Sequence, residues 1–568
     1  MTKLLLTAPF KPYGVHDGYA EALGMQMELL NNQITREQGV HSPRANAWTF
    51  GLYFLAENIA APTTVLDFPS WRVFCRELRN GYTHVGISFI QTNVLKVKRM
   101  AEHVRRHFPH IKILLGGHGT NLPDLAELVP HDAACRGEGI RWLRAYLGEK
   151  PEAPLRHPLI RGVATKHVYG VPANTDDSAV LFPGLGCENR CFFCSTSSHF
   201  DGRYVPLLPT GRRIFETCRQ AEEQFGIREF AIIDENLFSD RERAVELLDE
   251  MEKHGKAYNF AVFSSARDVA KLGTDFLVRL GVCFLWIGIE TEAEVFEKMR
   301  GIDTRRLVRG LQAKGISVVS SSILFMEHHD RTGLERDIEW AIEHGSDFHQ
   351  FMQLTPLPGT PLFEQYAREG RLIPEFPYTK MSGQNVLNFY HPHFAPEEAR
   401  EITRAAFRRK YLRHGPGILK MAHTALRGYR QAVRDARRRA ALGMSWDPRS
   451  LRYVRNGHRA PDRFMQRRVA MLRARAMEFR PILWSAALFA PHAAARRKCR
   501  RLIQLQYRRL AALSLPDALR ALALAGSAAV EWVRLRAHAL LGSGEFVRQP
   551  PTRRIEYRNG EPLRTTTR

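Results

Sequence analysis

The chain has 568 residues, of which 44% are hydrophobic and 25% are charged. A chain of this length can form two to four domains with sizeable cores, and its composition excludes wholesale disorder. Its eight cysteines include one tight group and are otherwise scattered, which excludes a disulfide framework and favours a reducing compartment.

The formal net charge of +24 is unevenly distributed. Residues 401–568 contain 38 Lys and Arg against 10 Asp and Glu, whereas residues 1–400 contain 45 against 49. The basic excess is therefore a property of the C-terminal part alone. The N-terminus lacks the long apolar core of a signal peptide, and no apolar run is long enough to span a bilayer. We expect a cytoplasmic protein.

Residues 1–150 alternate short apolar runs with helical patterns, which predicts βαβ units around a parallel sheet. We expect strands at 4–6, 64–66, 85–88 and 111–115, with a helix over 94–108. Residues 20–60 form a long insertion between the first two strands, which would cap a cofactor or a substrate. Residues 151–175 are rich in Pro and His and are predicted to be a linker.

Glycines follow the strand predicted at 111–115. They are Gly116-Gly117 and, further on, Gly137-Glu138-Gly139. Glycines at the carboxyl ends of parallel strands let a ligand's phosphate or amide groups approach the backbone. Ordinary turns also use glycine, so this feature alone indicates a ligand only weakly.

Three cysteines, Cys187, Cys191 and Cys194, have the spacing C-x3-C-x2-C and follow a strand-like run at 179–182. Three thiolates are one ligand short of a structural zinc site. They suit a [4Fe-4S] cluster in which one iron stays open. The alternatives are a zinc knuckle or three unrelated cysteines.

From residue 179 to about 376 strands and helices alternate again, over a length that suits a partial (β/α) barrel. Charged residues follow the ends of three predicted strands: Asp234 and Glu235, then Arg267, then Glu290. A carboxylate can pair with an ammonium group, and the arginine fork can hold a carboxylate. Taken singly, each of these residues would also suit an ordinary salt bridge.

The cysteine spacing, with Phe193 just before the third cysteine, resembles the signature of the radical S-adenosylmethionine (SAM) superfamily. That resemblance implies a six-stranded barrel over 176–380 and a cluster whose open iron is chelated by SAM. Reductive cleavage of SAM would then give a 5'-deoxyadenosyl radical. The resemblance also implies that Glu235, with Asp234 second, binds the SAM ammonium. Arg267 would bind its carboxylate, and Glu290 would lie near the adenosine.

The first 150 residues resemble the cobalamin-binding domain found upstream of the barrel in one branch of this superfamily. The matching features are a Val-Gly-Ile-Ser strand at 85–88, a Gly-Gly pair and a Gly-Glu-Gly turn. They imply a Rossmann-like domain in an overall α/β fold, and cobalamin contacts from Ser88, Gly116, Gly117, Gly137, Glu138 and Gly139. The D-x-H-x-x-G motif is absent, because Asp17 does not match it and His118 lies elsewhere. A domain that binds no corrinoid is the alternative.

The resemblance continues through a closing strand and turn at 354–361 and a helical extension at 381–411. Beyond it, residues 412–568 are rich in Ala and Arg with helical periodicity. Amphipathic helices with Arg on one face can lie in an anionic membrane interface. Nucleic acid attracts the same charges, but no aromatic pattern or RNA-binding motif supports it. The remaining alternative is a solvated helical bundle.

The resemblance implies a cobalamin-dependent C-methyltransferase that acts on an unactivated carbon of a lipid or natural-product substrate. Methylcobalamin would supply the methyl group, and an external donor such as flavodoxin or ferredoxin would supply electrons. The alternatives are a radical rearrangement or cyclisation enzyme and a nucleic-acid-binding Fe-S protein. A methylthiotransferase is disfavoured, because it needs a second cysteine trio upstream, where only Cys75 and Cys135 occur. The expected location is cytoplasmic or peripheral on the inner membrane face.

Overall fold

The structure is a computed structural model that describes residues 2–12, 19, 30, 33–162, 164–172, 178–293, 296–457, 461–541 and 549–567. Asp17 and most of residues 20–32, the first part of the predicted insertion, lie outside the described residues.

The N-terminal part forms a parallel sheet. Its strands, together with β2 of the insertion, are β1 (Leu4–Thr7), β2 (Arg44–Ala47), β3 (Thr63–Asp67), β4 (His84–Ser88), β5 (Lys112–Gly116) and β6 (Ala133–Ala134). The helices are α1 (Phe50–Glu57), α2 (Trp71–Glu77), α3 (Val94–His107), α4 (Leu125–Leu128) and α5 (Gly139–Tyr146). The parallel strands lie in the order β3-β1-β4-β5-β6, whereas β2 pairs elsewhere. The predicted strands at 4–6, 64–66, 85–88 and 111–115 and the helix at 94–108 are confirmed.

The two faces of this sheet are covered because the central residues of its strands are mostly apolar and buried. All four residues of β1 are buried. On one face, α3 packs Val97, Met100 and Val104 against the sheet. On the other face, α1 packs Leu52 and Tyr53. Continuous apolar strands of this kind are typical of a parallel sheet covered on both sides.

The middle part contains a second sheet. Its strands and neighbouring short strands are β7 (Ile160–Arg161), β8 (Ala164–Val168), β9 (Val171–Pro172), β10 (Ala179–Leu181), β11 (Gly184–Leu185), β12 (Val205–Pro206), β13 (Glu229–Ile232), β14 (Asn259–Phe263), β15 (Val282–Glu290), β16 (Ser317–Leu324) and β17 (Phe348–Gln353). The helices are α6 (Ser195–His199), α7 (Gly211–Phe225), α8 (Arg241–Lys253), α9 (Ala266–Leu272), α10 (Thr274–Leu280), α11 (Thr304–Ala313), α12 (Arg331–Glu343) and α13 (Pro361–Arg368).

Six strands of this sheet, β10 and β13 to β17, are parallel and lie side by side in chain order, with β7 antiparallel at the β10 edge. Helices connect consecutive strands and bury one large apolar core against them. Because all six strands are parallel, their carboxyl ends meet at one edge, where the loops that follow them gather. The mixed α/β fold is thereby confirmed.

The C-terminal part contains, in its described portion, six helices and four short strands. Its elements are α14 (Glu398–His414), α15 (Gly417–Ala441), β18 (Met444–Asp447), β19 (Arg452–Arg455), α16 (Arg463–Glu478), α17 (Arg480–Leu488), α18 (Ala493–Arg509), α19 (Leu515–Leu540), β20 (Arg553–Arg558) and β21 (Glu561–Thr567). Seven 3-10 turns lie among the described residues, at 39–41, 78–80, 91–93, 118–121, 237–239, 297–299 and 378–380.

The expectation that residues 412–568 are helical throughout is wrong at two hairpins. The larger one, β20–β21, pairs antiparallel with β3 and completes the N-terminal sheet in the order β21-β20-β3-β1-β4-β5-β6. Its alternating pattern buries Ile555 and Tyr557, while Arg554 binds Glu77 at 2.9–3.0 Å. Because the whole region is rich in basic residues, the short alternation of buried and exposed side chains in β20 does not stand out in the sequence.

Helices α15 to α18 form a bundle with its own apolar core. Arg468 of α16 is fully buried and anchors the bundle to the six-stranded sheet. Its guanidinium donates to the carbonyls of Tyr258 at 2.7 Å and Val278 at 3.3 Å. Tyr258 directly precedes β14, and Val278 lies in the last turn of α10, which leads into β15. The bundle therefore packs at the amino ends of these strands.

Candidate functional site

The three motif cysteines lie on a constrained loop between β11 and α6. Cys194 is the N-cap of α6, where its sulfur accepts a hydrogen bond from the Ser197 amide at 3.5 Å. The Ser197 hydroxyl donates to the Cys187 carbonyl at 2.7 Å. Gly186 has a φ of +80°, and a Cβ there would lie 2.2 Å from the Arg203 carbonyl. The backbone at the start of this loop therefore has a conformation that requires glycine at position 186.

The thiols of this loop are unpaired and mutually close. Burial raises the pKa of Cys187 to about 11, and the other two cysteines and Glu235 add to the effect. Burial also raises the pKa of Cys194.

A cavity of about 620 Å³ opens beside this loop, at the carboxyl ends of the six-stranded sheet. We call it the cluster cavity. Phe193, Cys194, Glu235 and Glu290, all singled out from the sequence, line it. The structure therefore brings together four of the predicted site residues from three separate parts of the chain.

Glu235 follows β13 and is open to the cluster cavity, although protein surrounds it on most sides. Burial and the neighbouring Asp234 carboxylate raise the pKa of Glu235 to about 7, and the Thr196 hydroxyl lowers it in part. Among the residues that the structure describes, this carboxylate forms no salt bridge. It is suited to accept an ammonium group brought in by a ligand.

Asp234 has different surroundings from Glu235. It does not line the cluster cavity and forms a buried ion pair with Arg243 at 3.1 Å. The Tyr204 hydroxyl donates to it at 2.7 Å. Arg267, the predicted carboxylate ligand, also lies outside the cavity lining, with its Nε 3.8 Å from Asp268. The structure does not bring these two residues to the cavity.

Glu290 ends β15 with a φ of +50° and pairs with Lys298, a residue that the sequence analysis did not single out. The Lys298 Nζ atom lies 2.6 Å from the Glu290 carboxylate and above the rings of Phe193 and Phe296. Burial opposes the charge on Lys298. The negative charges of Glu290 and then of Cys191 outweigh this effect of burial. The pKa of Lys298 is therefore raised, and its side chain stays charged. A fixed cation thus faces the cysteine loop.

Three further polar residues line the cluster cavity on adjacent strands. The Trp286 indole donates to Ser321 at 2.6 Å, and the Ser321 hydroxyl donates to Gln350 at 2.8 Å. Phe263 stacks on Trp286 with ring centroids 5.3 Å apart. Because side chains alternate along a strand, these side chains point to one face of the sheet. Their neighbours in sequence are apolar, so no sequence pattern marked them as site residues.

A second cavity, of about 330 Å³, lies at the carboxyl ends of the N-terminal sheet. We call it the sheet cavity. All six residues predicted to contact cobalamin line it: Ser88, Gly116, Gly117, Gly137, Glu138 and Gly139. Leu185, His199 and Phe200 line it from the side of the cysteine loop. Helix α6, which follows Cys194, therefore separates the two cavities.

The backbone forms most of the wall of the sheet cavity. A Cβ at Gly116 would meet no atom within 4 Å, so a side chain there would project into open space. At Gly117, with φ +83°, a Cβ would lie 2.6 Å from the Phe89 carbonyl. The Glu138 carboxylate caps α5 by accepting from the amides of Ile140 and Arg141. Glu138 thus shapes the wall and is not free for a ligand.

Two histidines meet at this wall. The His118 and His199 rings lie 4.5 Å apart. His199 accepts from the Gly137 amide at 3.2 Å and pairs with Asn121 at 3.1 Å. Burial and then His199 lower the pKa of His118 to about 3, so its ring is neutral. The buried Nδ1 atom of His118 has no hydrogen-bond partner among the described residues.

No protein-family model matches the chain. An uncharacterised methyltransferase of Pyrococcus horikoshii is 23% identical over 394 residues, which cover 61% of this chain and 85% of that protein. The hopanoid C-2 methylase of Rhodopseudomonas palustris is 28% identical over 211 residues, which cover 33% of this chain and 37% of that protein.

The solved structure of the radical SAM methyltransferase TsrM from Kitasatospora setae, with cobalamin and a [4Fe-4S] cluster bound, is also similar. Its TM-score is 0.53 at 16% identity, covering 78% of this chain and 100% of that chain, which shows a shared fold. Methyltransferases and radical SAM enzymes recur among these similarities. The predicted resemblance to the radical SAM superfamily is confirmed.

Proposed function

We propose that this chain is a radical SAM enzyme that binds a [4Fe-4S] cluster at Cys187, Cys191 and Cys194 and cobalamin in the sheet cavity, and that it methylates an unactivated carbon. The single observation that carries the proposal is the position of the cysteine loop and α6 between two strand-end cavities. One cavity is lined by Cys194, Glu235 and Glu290, and the other has the glycine-rich wall. When bound, the cluster with SAM supplies a carbon-centred radical, and cobalamin supplies a methyl group.

The chain's own residues would bind and orient SAM. Glu235 is the proposed partner of its ammonium group, because it is the carboxylate that opens to the cluster cavity without a buried cation. Glu290, which is paired with Lys298, lines the same space. Arg267 lies outside the lining of the cluster cavity, so it has no role in the proposal.

Substrate would enter the remaining part of the cluster cavity. Trp286, Ser321 and Gln350 there form a continuous polar row beside the apolar Phe263 and Met352. Such a wall suits an amphiphilic molecule with one hydrogen-bonding edge. We include a lipid or natural-product substrate in the proposal on this basis. Reduction of the cluster requires an external one-electron donor, such as flavodoxin or ferredoxin.

Three architectural assignments also belong to the proposal. The N-terminal sheet, with a ligand cavity at its carboxyl edge, supports a Rossmann-like cobalamin domain over about 1–150, although its β20–β21 strands come from the other end of the chain. The six parallel strands in chain order support a partial barrel over about 176–380. Residues 381–411, which include most of α14, extend that barrel.

The deciding experiment is anaerobic reconstitution of the full chain with iron, sulfide and hydroxocobalamin, followed by SAM and a reductant. We expect about four irons and one corrinoid per chain, and release of 5'-deoxyadenosine. The triple variant Cys187→Ser/Cys191→Ser/Cys194→Ser should lose the iron and the deoxyadenosine. Cys75→Ser, at a half-buried cysteine far from the loop, is the matched control and should retain both.

Other outcomes would change the proposal in defined ways. Deoxyadenosine without retained corrinoid would refute the cobalamin assignment and leave a radical SAM enzyme of the rearrangement or cyclisation kind. Well-folded protein with neither cluster nor deoxyadenosine would refute the proposal as a whole.

A further inference from the structure

Helix α19 carries an exposed apolar stripe along its whole length. Leu515, Leu519, Leu522, Val530, Val533 and Leu540 are each 58–87% exposed. Exposed Gly526 and Ala537 fill the gaps between them. The resulting spacings of three and four residues keep all these positions on one side of a helix. At 26 residues, the helix is about 39 Å long.

The opposite side of α19 is fixed to the protein. Ala521 and Ala528 are buried, and Ala528 belongs to an apolar cluster with Val40 and Tyr169. The helix also packs along α17 and against the 3-10 turn Gly39–His41. Its orientation is therefore set by packing, and the stripe faces outward as part of the fold. A contiguous exposed apolar patch of this length usually marks an interaction surface.

The neighbouring helices add aromatic and basic residues. Helix α17 packs between α18 and α19 and exposes Trp484 and Leu488. Helix α18 exposes the cations Arg496, Arg497, Arg500 and Arg501, which lie at spacings of one and four residues.

The acids of this layer are few. Within residues 480–541, Asp517 and Glu531 are the acidic residues, and both are partly buried. Two copies of this surface would bring like charges together, which disfavours self-association. An anionic partner with an apolar interior matches both properties of the surface. None of the described helices is long and apolar enough to cross a bilayer.

We propose that α17, α18 and α19 form a membrane-docking surface, on which α19 lies in the plane of an anionic lipid bilayer. The apolar stripe enters the boundary between headgroups and acyl chains, as interfacial amphipathic helices do. The exposed arginines of α18 bind the lipid headgroups. Each basic residue close to an anionic surface strengthens binding about fivefold.

The docking surface is linked to the cluster cavity by one short segment. Gln33 and Arg36 line that cavity, and Gly39–His41 contacts α19. His41 further bonds the Phe489 carbonyl, at the end of α17, at 2.8 Å. A lipid in the membrane would thus lie close to the cluster cavity. This last step rests on the proposed function, whereas membrane docking itself does not.

The test is flotation of the full-length protein with vesicles of phosphatidylglycerol and phosphatidylcholine, against vesicles of phosphatidylcholine alone. We expect at least tenfold stronger partitioning onto the anionic vesicles, decreasing with salt. Leu522→Glu/Val530→Glu places two carboxylates in the stripe and should reduce partitioning at least tenfold. Because both side chains are exposed, the melting temperature should not change.

Leu563→Glu is the matched control. Leu563 is 63% exposed, close to the exposure of the stripe residues, but lies on the β21 hairpin. This variant should bind vesicles like the unchanged protein. Arg496→Gln/Arg500→Gln should lose the preference for anionic over neutral vesicles. These assays contain no SAM or substrate, so failure of the proposed enzymatic function would not affect them.

Three results would overturn the proposal. Wild-type protein that does not float with anionic vesicles but is dimeric in light scattering, with monomeric Leu522→Glu/Val530→Glu, would make the stripe a protein interface. Vesicle binding that the stripe variant retains in full would place the lipid contact elsewhere. Binding to oligonucleotides without binding to vesicles would assign the basic face to nucleic acid.

Discussion

Glu235 and Asp234 are neighbours in sequence, yet only Glu235 is available to a ligand. Asp234 is neutralised by Arg243, whereas Glu235 faces the cluster cavity with a pKa raised to about 7 by burial and by Asp234. A carboxylate in such a site binds an ammonium only in its ionised form. SAM binding should therefore strengthen as the pH rises from 6 to 8, since a raised pKa means that the carboxyl group is largely protonated below 7.

Glu235→Gln tests this assignment directly. A hydrogen bond to a charged group contributes about 1.5–3 kcal/mol, so we expect SAM affinity to fall roughly 10- to 100-fold. The pH dependence between 6 and 8 should disappear with it. Equilibrium dialysis of SAM with the reconstituted protein measures both. Glu188→Gln, which changes an exposed carboxylate of the cysteine loop, should leave affinity and pH profile unchanged. An unaltered profile in Glu235→Gln would show that another group titrates.

Lys298 is the second residue whose charge should affect the site, here through the reduction potential of the cluster. Its ammonium is held by Glu290 and faces the cysteine loop. A nearby positive charge favours the reduced, more negative state of a cluster. Glu290→Gln/Lys298→Met removes one charge of each sign. Because the cysteine thiols act directly on Lys298, loss of this nearer cation should dominate and lower the cluster potential. Lys298→Arg should retain it.

A redox titration followed by electron paramagnetic resonance measures this shift. The double variant is preferred to Lys298→Met alone, because a single change would leave the Glu290 carboxylate buried without its partner. Equal potentials in the double variant and the unchanged protein would show that Lys298 has only a packing role.

At the scale of elements, the β20–β21 hairpin connects the two ends of the chain. Ile555 is buried against the N-terminal sheet, whereas Leu563 of the same hairpin is exposed. Ile555→Ala should lower the free energy of unfolding by about 2–4 kcal/mol, as expected for a truncated core side chain. Leu563→Ala should change it by less than about 0.5 kcal/mol. Urea unfolding of both variants measures the difference.

The same change tests what the hairpin does for the sheet cavity. Because β20 pairs with β3 at one edge of that sheet, Ile555→Ala should also reduce the corrinoid retained per chain, while the iron content stays constant. Loss of iron together with corrinoid would mean that the destabilisation spreads to the six-stranded sheet.

The hairpin also explains why removal of residues beyond about 411 cannot isolate the role of the basic helices. Such a truncation would delete a strand of the N-terminal sheet as well.

The sequence predicted the elements whose patterns are local. Strands such as 4–6 and the helix at 94–108 have continuous apolar runs or a clear helical period, and the cysteine spacing is a local signature. The hairpin at the C-terminus has only two buried side chains in a basic region, and its pairing with β3 spans almost 500 residues. Lys298 was missed for a different reason: it follows Glu290 by eight residues, but it lies in a 3-10 turn beyond the end of β15, where neither the helical nor the strand period relates the two side chains.

At the scale of the whole molecule, the two parallel sheets point their carboxyl edges at each other. Gln91 and Thr92, after β4, line the cluster cavity, and His199 and Phe200, after the cysteine loop, line the sheet cavity. Each part of the chain therefore completes the other's site. Neither cavity would have its full wall if the two sheets folded and separated, so both ligands should depend on the contact between them.

His199 is the residue at which this dependence can be measured. It lies on α6, five residues after Cys194, and its ring bonds the Gly137 amide and Asn121 of the N-terminal part. Removal of the ring in His199→Ala would leave the Gly137 amide without its partner and open a space between α6 and the glycine turn. We expect corrinoid retention to fall several-fold, since Gly137 and Glu138 line the sheet cavity.

The cluster provides the independent readout of the same variant. Because α6 is capped by Cys194, a shift of this helix should alter the paramagnetic resonance spectrum of the reduced cluster even when four irons are bound. His254→Ala changes a half-exposed histidine that packs on Phe215 and should leave both readouts unchanged. Loss of corrinoid with an unaltered cluster spectrum would mean that the two sites share a wall but are not coupled through it. A change in both would identify α6 as the element through which occupancy of one cavity affects the other.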